Sequence, residues 1–377
     1  MEKIKVALII RGFHSGGIEK VFESYFSHMD LSPYEIHVIT HMKNDPAKKK
    51  IFTDMGCQIH ELSKLHGHKL TFANIREYKE LFAQNQFDIV HNNMPDNLLP
   101  LWFAKRSKVP CRILHAHNIY TSGYEKKNPI AVKLYMAGFA INTANATVLI
   151  GVSKEAARSA FGEKNMKNVM ILPNAIEVDR YRFQSDLRIK MRKSLDIEDK
   201  FVIGHIGRYE NDQKNQEFVL MILKELLKTE PKSHLLMIGD GKKLDGIKQM
   251  AADLGLSENV TFTGNVSNVQ DYLQAMDVFV LPSRKEGLGI VAVEAQTAGL
   301  YCLVSDRVPR EAKVTGNIEF LSIDHGVDPW SEAILKKRGY MRTDTSQEVI
   351  SHGYDIDLRS GDLEKLYLES VGKDRTE

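Results

Sequence analysis

One stretch, residues 275–306, constrains the fold more than any other part of the chain. Residues 277–281 are a short apolar run, the pattern of a buried parallel strand. Pro282 and Ser283 end the run, and a loop containing Gly287 and Gly289 follows. Residues 290–298 then carry a strongly apolar helical face closed by Gly299, and residues 301–304 read as the next strand. The unit places Glu286, Gly287, Leu288 and Gly289 just past a strand's carboxyl end and at a helix N-terminus. Open α/β sheets bind ligands there. Unpaired backbone N–H groups and the positive end of the helix dipole attract a phosphate. Glu294 lies eight residues after Glu286, about two helical turns on, within reach of hydroxyls on the same ligand. A carboxylate is a poor phosphate ligand, so Glu286 is expected to serve something else, and sugar hydroxyls are the natural candidate.

A chain of 377 residues predicts two domains of ordinary size. With 43% hydrophobic and 27% charged residues it reads as an ordinary globular protein and not as a disordered or fibrous one. Cys57, Cys111 and Cys302 are far apart and odd in number, which fits a reducing cytoplasm and argues against a disulfide framework. The first residues enter a strand directly, without the long apolar core of a signal peptide. The longest apolar stretch, residues 130–152, is interrupted by Lys133, Asn142 and Asn145, so no membrane span is expected. The net charge of +2 hides an asymmetry: residues 1–172 carry 23 Lys+Arg against 15 Asp+Glu, and the remainder 28 against 34. A basic first half fits an anionic partner such as a membrane surface or a lipid diphosphate, and it fits a merely solvated face equally well. No feature points to nucleic acid.

Taken in order, the chain alternates strands and helices, the pattern of doubly wound parallel sheets. Strands are expected at residues 5–10, 36–40, 58–61, 87–91, 112–118 and 147–151, and helices at 18–29, 72–83 and 95–106. The first βα turn holds Gly16 and Gly17 but lacks the G-x-G-x-x-G fingerprint, which disfavours an NAD-dependent dehydrogenase. His115 and His117, two residues apart on a strand, point the same way and have the spacing of a metal pair. No third ligand is evident, so no metal site is assigned. Ser153 is expected to cap a helix. A strand from residue 201 ends at Gly207 and Arg208, and Lys214 with Asn215 opens the next helix. Arg208 and Lys214 are thus expected to converge at one strand end and give two cations to one diphosphate. Further strands are expected from residues 235 and 260, the latter running into Asn265 and Val266.

On these residues the chain resembles a family. Glu286 and Glu294, with seven residues between them inside a strand–EGLG–helix–AGL–strand frame, match the E-x7-E signature of retaining glycosyltransferases of the GT-B fold. The chain is most similar to family 4 enzymes that build bacterial exopolysaccharides and capsules. The likeness runs from Gly16 to about Ser370. It includes the G-R-x-x-x-x-K-N pattern at Arg208 and Lys214, here with one extra loop residue, and a PNG(I/V)D-like linker with Ala175 where glycine is usual.

The resemblance implies an α/β, GT-B architecture: two facing Rossmann-like doubly wound parallel-sheet domains with a cleft between them. The expected bounds are residues 1–175 for an acceptor-side domain joined by the returning segment 353–377, and 176–352 for a nucleotide-sugar domain. It implies transfer of a hexosyl or N-acetylhexosaminyl group from a nucleotide-sugar, UDP-linked by expectation, to a growing, lipid-linked glycan. It also implies that the anomeric configuration is retained and that no metal or cofactor is used. His117 would face the reacting sugar, with Glu286, Arg208 and Lys214 completing the catalytic set. Gly16, Gly17, Asn265, Val266, Glu286, Gly287, Leu288, Gly289 and Glu294 would hold the donor, the backbone at 265–266 reading the base and Glu294 the ribose. His115 is read as structural. The location implied is the cytoplasm, with peripheral contact at the inner face of the cell membrane. A GT-B-type UDP-sugar epimerase and a non-catalytic nucleotide-sugar-binding subunit are the alternatives.

Overall fold

A computed structural model describes residues 2–13, 17–42, 44–63, 72–120 and 129–372. Gly16, Lys126 and Lys127 lie outside the described residues. The chain divides into two compact units, residues 1–175 with 356–377, and residues 176–355.

The first unit is a seven-stranded sheet in the order β3-β2-β1-β4-β5-β6-β7, all pairings parallel. Its strands are β1 (Ile4–Ile9), β2 (Tyr34–Thr40), β3 (Gln58–Glu61), β4 (Ile89–Asn92), β5 (Cys111–Ala116), β6 (Val148–Gly151) and β7 (Val169–Ile171). Alternation along β1 shows why both faces are covered. Ile4, Val6 and Leu8 join a core with Phe22, Phe26, Leu363 and Tyr367, whereas Ala7 and Ile9 join a second core with Tyr78, Phe82 and Phe103. A strand buried on both faces reads as a continuous apolar run because neither side meets water. The last helix, Ile356–Ser370, packs into the first of these cores.

The second unit is a six-stranded parallel sheet in the order β10-β9-β8-β11-β12-β13. Its strands are β8 (Phe201–Ile206), β9 (Ser233–Ile238), β10 (Val260–Gly264), β11 (Val278–Leu281), β12 (Tyr301–Ser305) and β13 (Ile318–Leu321). In each sheet the strand order reverses once, between β1 and β4 and between β8 and β11. A reversal opens a crevice at the carboxyl ends of its two strands.

Several elements differ from the sequence expectation. The helix expected over residues 95–106 starts only at Leu99, because Asn97 folds back on Met94 and its side-chain oxygen accepts from the Leu99 N–H. Helix Ile356–Ser370 runs through Ser360 and Gly361, since packing of Ile356 and Leu363 overrides their weak propensity. Helix Pro129–Asn145 carries no amphipathic period and had no legible signal. Phe103 is buried, because it faces Tyr78 and Phe82, while its neighbour Trp102 points outward.

The amino-terminal edge of the second sheet is fastened by one carboxylate. Asp277 accepts from the Val202 N–H at 2.7 Å and pairs with Arg188 at 2.5 Å and Arg192 at 3.1 Å. Arg192 is buried and also donates to the Ala275 carbonyl. Removing one partner of a buried pair leaves the other charge uncompensated. Asp277→Ala is expected to destabilise the protein by about 3–5 kcal/mol. Urea unfolding followed by fluorescence measures this, and an unchanged midpoint contradicts it.

Candidate functional site

In the second unit the site grows from two loops that leave β8 and β11, the strands beside the reversal. After β8 the backbone passes Gly207 and Arg208 and reaches a short 3-10 turn, Asp212–Lys214, capped by Asn211. Asn215 follows in the left-handed region (φ 58) and starts helix Gln216–Leu226. After β11 come Pro282, Ser283 and the 284–289 loop. The two loops are laced together by four hydrogen bonds. The Asn215 amide donates to the Pro282 carbonyl at 3.1 Å, and Arg284 donates to Asn215 Oδ1 at 3.0 Å. The Arg284 N–H meets the Gln213 carbonyl at 2.8 Å, and the Gln213 amide donates to the Lys285 carbonyl at 3.0 Å.

This lacing brings Lys214 and Glu286 together. Lys214 Nζ lies 2.6 Å from Glu286 Oε1, and the Ser283 hydroxyl donates to the same oxygen at 2.6 Å. Both side chains are largely buried, 15% and 8% exposed. The stem of Lys214 lies on Gly207, where a Cβ would meet Lys214 Cγ at 2.8 Å, so a residue without a side chain is required next to Arg208. Arg208 itself is exposed, and among the described residues its guanidinium makes no ion pair. Gly289, at φ 83, caps helix Ile290–Thr297, and Gly287 and Leu288 are buried beside it.

Glu294 is held elsewhere. It accepts from the Tyr181 hydroxyl at 2.9 Å, and burial, then the carboxylate itself, pushes that phenol's pKa well up. Asn265 and Val266 follow β10, which is separated from β8 by β9. The Gly264 carbonyl there accepts from the Gly239 N–H at 2.9 Å, tying this loop to the turn after β9. The structure thus joins Lys214 to Glu286 directly, leaves Arg208 exposed on the loop that carries Lys214, and anchors Glu294 through a partner not foreseen.

In the first unit, Gly17 precedes helix Ile18–Ser27 and is exposed. His115 on β5 and His117 just beyond it lie on the same side, with ring centroids 3.9 Å apart. A third imidazole, His91 on the neighbouring strand β4, completes the group: His91 Nε2 lies 3.1 Å from His115 Nδ1. All three are buried. Burial pushes the pKa of His91 and His117 down to about 3, and that of His115 well below its usual value, so the rings are neutral near pH 7. Asn93 sets the tautomer of His117. The Asn93 amide nitrogen donates to the Ile9 and His91 carbonyls, which leaves its oxygen to accept from His117 Nε2 at 2.8 Å. His117 Nδ1 is therefore an acceptor, buried and without a partner among the described residues. The sequence reading missed His91, Ser283 and Tyr181 as members of these groups. His91 occupies the end of its strand as His115 does, and Ser283 directly follows the apolar run, so both carried a positional signal. Tyr181 carried none.

Comparison with known proteins agrees with this architecture. The family described as Glycosyltransferase Family 4 matches residues 15–180, and that described as Glycosyl transferases group 1 matches residues 188–336. The putative glycosyltransferase EpsF of Bacillus subtilis (strain 168) is 27% identical over 383 residues, 98% of each chain. The Escherichia coli UDP-Gal:alpha-D-GlcNAc-diphosphoundecaprenol alpha-1,3-galactosyltransferase is 23% identical over 389 residues, again 98% of each. Among solved structures, Anabaena Alr3699/HepE in complex with UDP superposes with a TM-score of 0.78 at 15% identity, covering 97% of this chain and all of that one. WaaG, a glycosyltransferase involved in lipopolysaccharide biosynthesis, superposes with a TM-score of 0.73 at 16% identity over 96% and 99% of the two chains. With a family 4 domain, a group 1 domain and two parallel Rossmann-like sheets, the chain is a glycosyltransferase of the GT-B fold.

Proposed function

We propose that the protein transfers a hexosyl or N-acetylhexosaminyl group from a UDP-sugar to a growing, lipid-linked glycan in exopolysaccharide or capsule assembly, with retention of configuration and without a metal. The observation that carries this reading is the Lys214–Glu286 pair at the strand reversal of the second unit, on loops one of which also carries Arg208. An ammonium group has three N–H donors, so Lys214 keeps two for a phosphate after meeting Glu286. Glu286 Oε1 is taken by Lys214 and Ser283, which leaves Oε2 to accept sugar hydroxyls. Arg208 adds a second, exposed cation for the departing diphosphate. Charge builds on the leaving oxygens in the transition state, and preset cations stabilise it there most. Glu294 binds the ribose, the 265–266 backbone reads the base, and the 287–289 amides approach the phosphates. His117 accepts a hydroxyl of the sugar at Nδ1, in keeping with its fixed tautomer.

The relatives support transfer over epimerisation or mere binding: one is a putative glycosyltransferase and the other a galactosyltransferase named for a UDP donor and a diphosphoundecaprenol acceptor. Thermal shift and donor hydrolysis across a set of nucleotide-sugars test the donor, and NMR of the product's anomeric centre tests retention. Net release of free nucleotide diphosphate only with acceptor present separates transfer from the alternatives.

Contact with the cytoplasmic leaflet is the remaining part of the reading. Among the described residues no helix is long and apolar enough to cross a membrane. Helix Leu99–Arg106 presents Trp102, 41% exposed, with Arg106 stacked 4.7 Å above its ring and Lys105 and Lys108 nearby in sequence. Lys48, Lys49 and Lys50 pair with Glu19, Glu61 and Asp54 and contribute less.

Arg208→Ala is expected to lower turnover by roughly 10²-fold with the fold intact, and Lys214→Ala by at least as much. Steady-state kinetics on variants shown by circular dichroism to be folded at the assay temperature measure this, and wild-type turnover removes both residues from the site. Transfer should persist in excess EDTA, because Arg208 and Lys214 supply the positive charge. Loss of activity that Mn²⁺ or Mg²⁺ restores rules this out. Sedimentation with anionic liposomes should exceed that with neutral ones and fall steeply with salt, each basic residue near the surface contributing about 1 kcal/mol. Equal, negligible sedimentation with both would mean that the charge is a solvated face.

A further inference from the structure

The first unit contains a buried row of polar rings of which the reading above uses one end. Tyr367 lies on helix Ile356–Ser370 and is fully buried. Its hydroxyl is 2.8 Å from His91 Nδ1, and His91 Nε2 is 3.1 Å from His115 Nδ1. His115 in turn lies with its ring centroid 3.9 Å from that of His117. His91 and Tyr34 both meet the phenol ring edge to face, with centroids 5.9 Å away.

Counting protons gives the row a direction. Each neutral imidazole carries one N–H. A buried phenol must place its proton on an acceptor, and among the described residues the Tyr367 hydroxyl meets only His91 Nδ1. Tyr367 therefore donates to His91 Nδ1. His91 then holds its proton on Nε2 and donates to His115 Nδ1. His115 is left with its proton on Nε2, a buried atom without a partner among the described residues. The opposite polarity would bury the phenol proton unpaired, at the full desolvation cost of a hydroxyl. His117 is oriented separately by Asn93, yet one side of its ring rests on His115 and an edge of it on Phe22, 6.5 Å away between centroids. A turn of the His115 ring, or a switch of its tautomer, changes both the packing and the dipole that His117 meets.

We propose that Tyr367 is a positioning residue for sugar transfer. Through His91 it sets the tautomer and ring plane of His115, and so the surface against which His117 is held. The inference rests on the reading that His117 meets the sugar, and extends it to the last helix of the chain, which takes part from the buried side of the sheet.

The test is Tyr367→Phe in the full-length protein, which removes one hydroxyl and keeps the ring. We expect kcat to fall about tenfold, the scale of one buried hydrogen bond, with KM for the donor changed less than twofold. Side-chain nitrogen NMR of labelled histidines should show His91 and His115 losing their single tautomers. The variant His117→Gln runs in parallel. The double variant should be no slower than His117→Gln alone, because the two residues act through one contact. A fully active His117→Gln overturns the reading of His117, and the proposal with it. An impaired His117→Gln beside a Tyr367→Phe with wild-type kcat, with unchanged histidine spectra, or with a loss that multiplies in the double variant overturns the proposal alone.

Discussion

The ion pair between Lys214 and Glu286 is the contact on which the second unit's site depends. Both partners are largely withdrawn from water, so neither charge is tolerable without the other. Their meeting requires the loop after β8 and the loop after β11 to keep one spacing, and the hydrogen bonds of Gln213, Asn215 and Arg284 maintain it. Gly207 lets the lysine stem lie flat against the backbone. Ser283 fixes which carboxylate oxygen faces the ammonium group. The result is a site whose charges are set before any ligand arrives, the condition under which electrostatic stabilisation of a leaving group is most effective.

Parallel sheets buried on both faces leave little room for polar side chains except at their ends. The second unit follows that rule. The first unit departs from it, because His91 and His115 stand on a sheet face and Tyr367 reaches them from a helix. The cost of withdrawing these groups from water is offset only because each finds another member of the row. A network of this kind fixes ring orientations more firmly than apolar packing would, since a rotated imidazole loses a hydrogen bond as well as contacts. It lies beside His117, whose Nδ1 is buried and without a partner among the described residues.

Much of this organisation is legible in the chain itself. The apolar runs give the strands because a two-sided parallel strand has no polar face to interrupt it, and β3 and the cap at Ser153 fall where the residues place them. The glycine and glutamate spacing of residues 286–294 marks a strand–loop–helix turn, since only such a turn needs glycine at Gly289 with φ 83. Local rules fail where neighbours distant in sequence decide. Helix Ile356–Ser370 forms through a glycine because a core holds it, and the outward turn of Trp102 against the inward turn of Phe103 follows from which partner each meets.

What the sequence determined by itself is the class of fold and the residue types at the strand ends, because hydrophobic periodicity and turn chemistry are local properties. Only the tertiary structure decided who touches whom. It set Lys214 against Glu286, gave Glu294 to Tyr181, and lined up Tyr367, His91 and His115 beside His117. The physical reason is distance along the chain. Lys214 and Glu286 are 72 residues apart and Tyr367 and His91 are 276, and no local pattern specifies a contact across such a span. It is specified by the register of parallel strands and by the packing of helices on the sheet they cover.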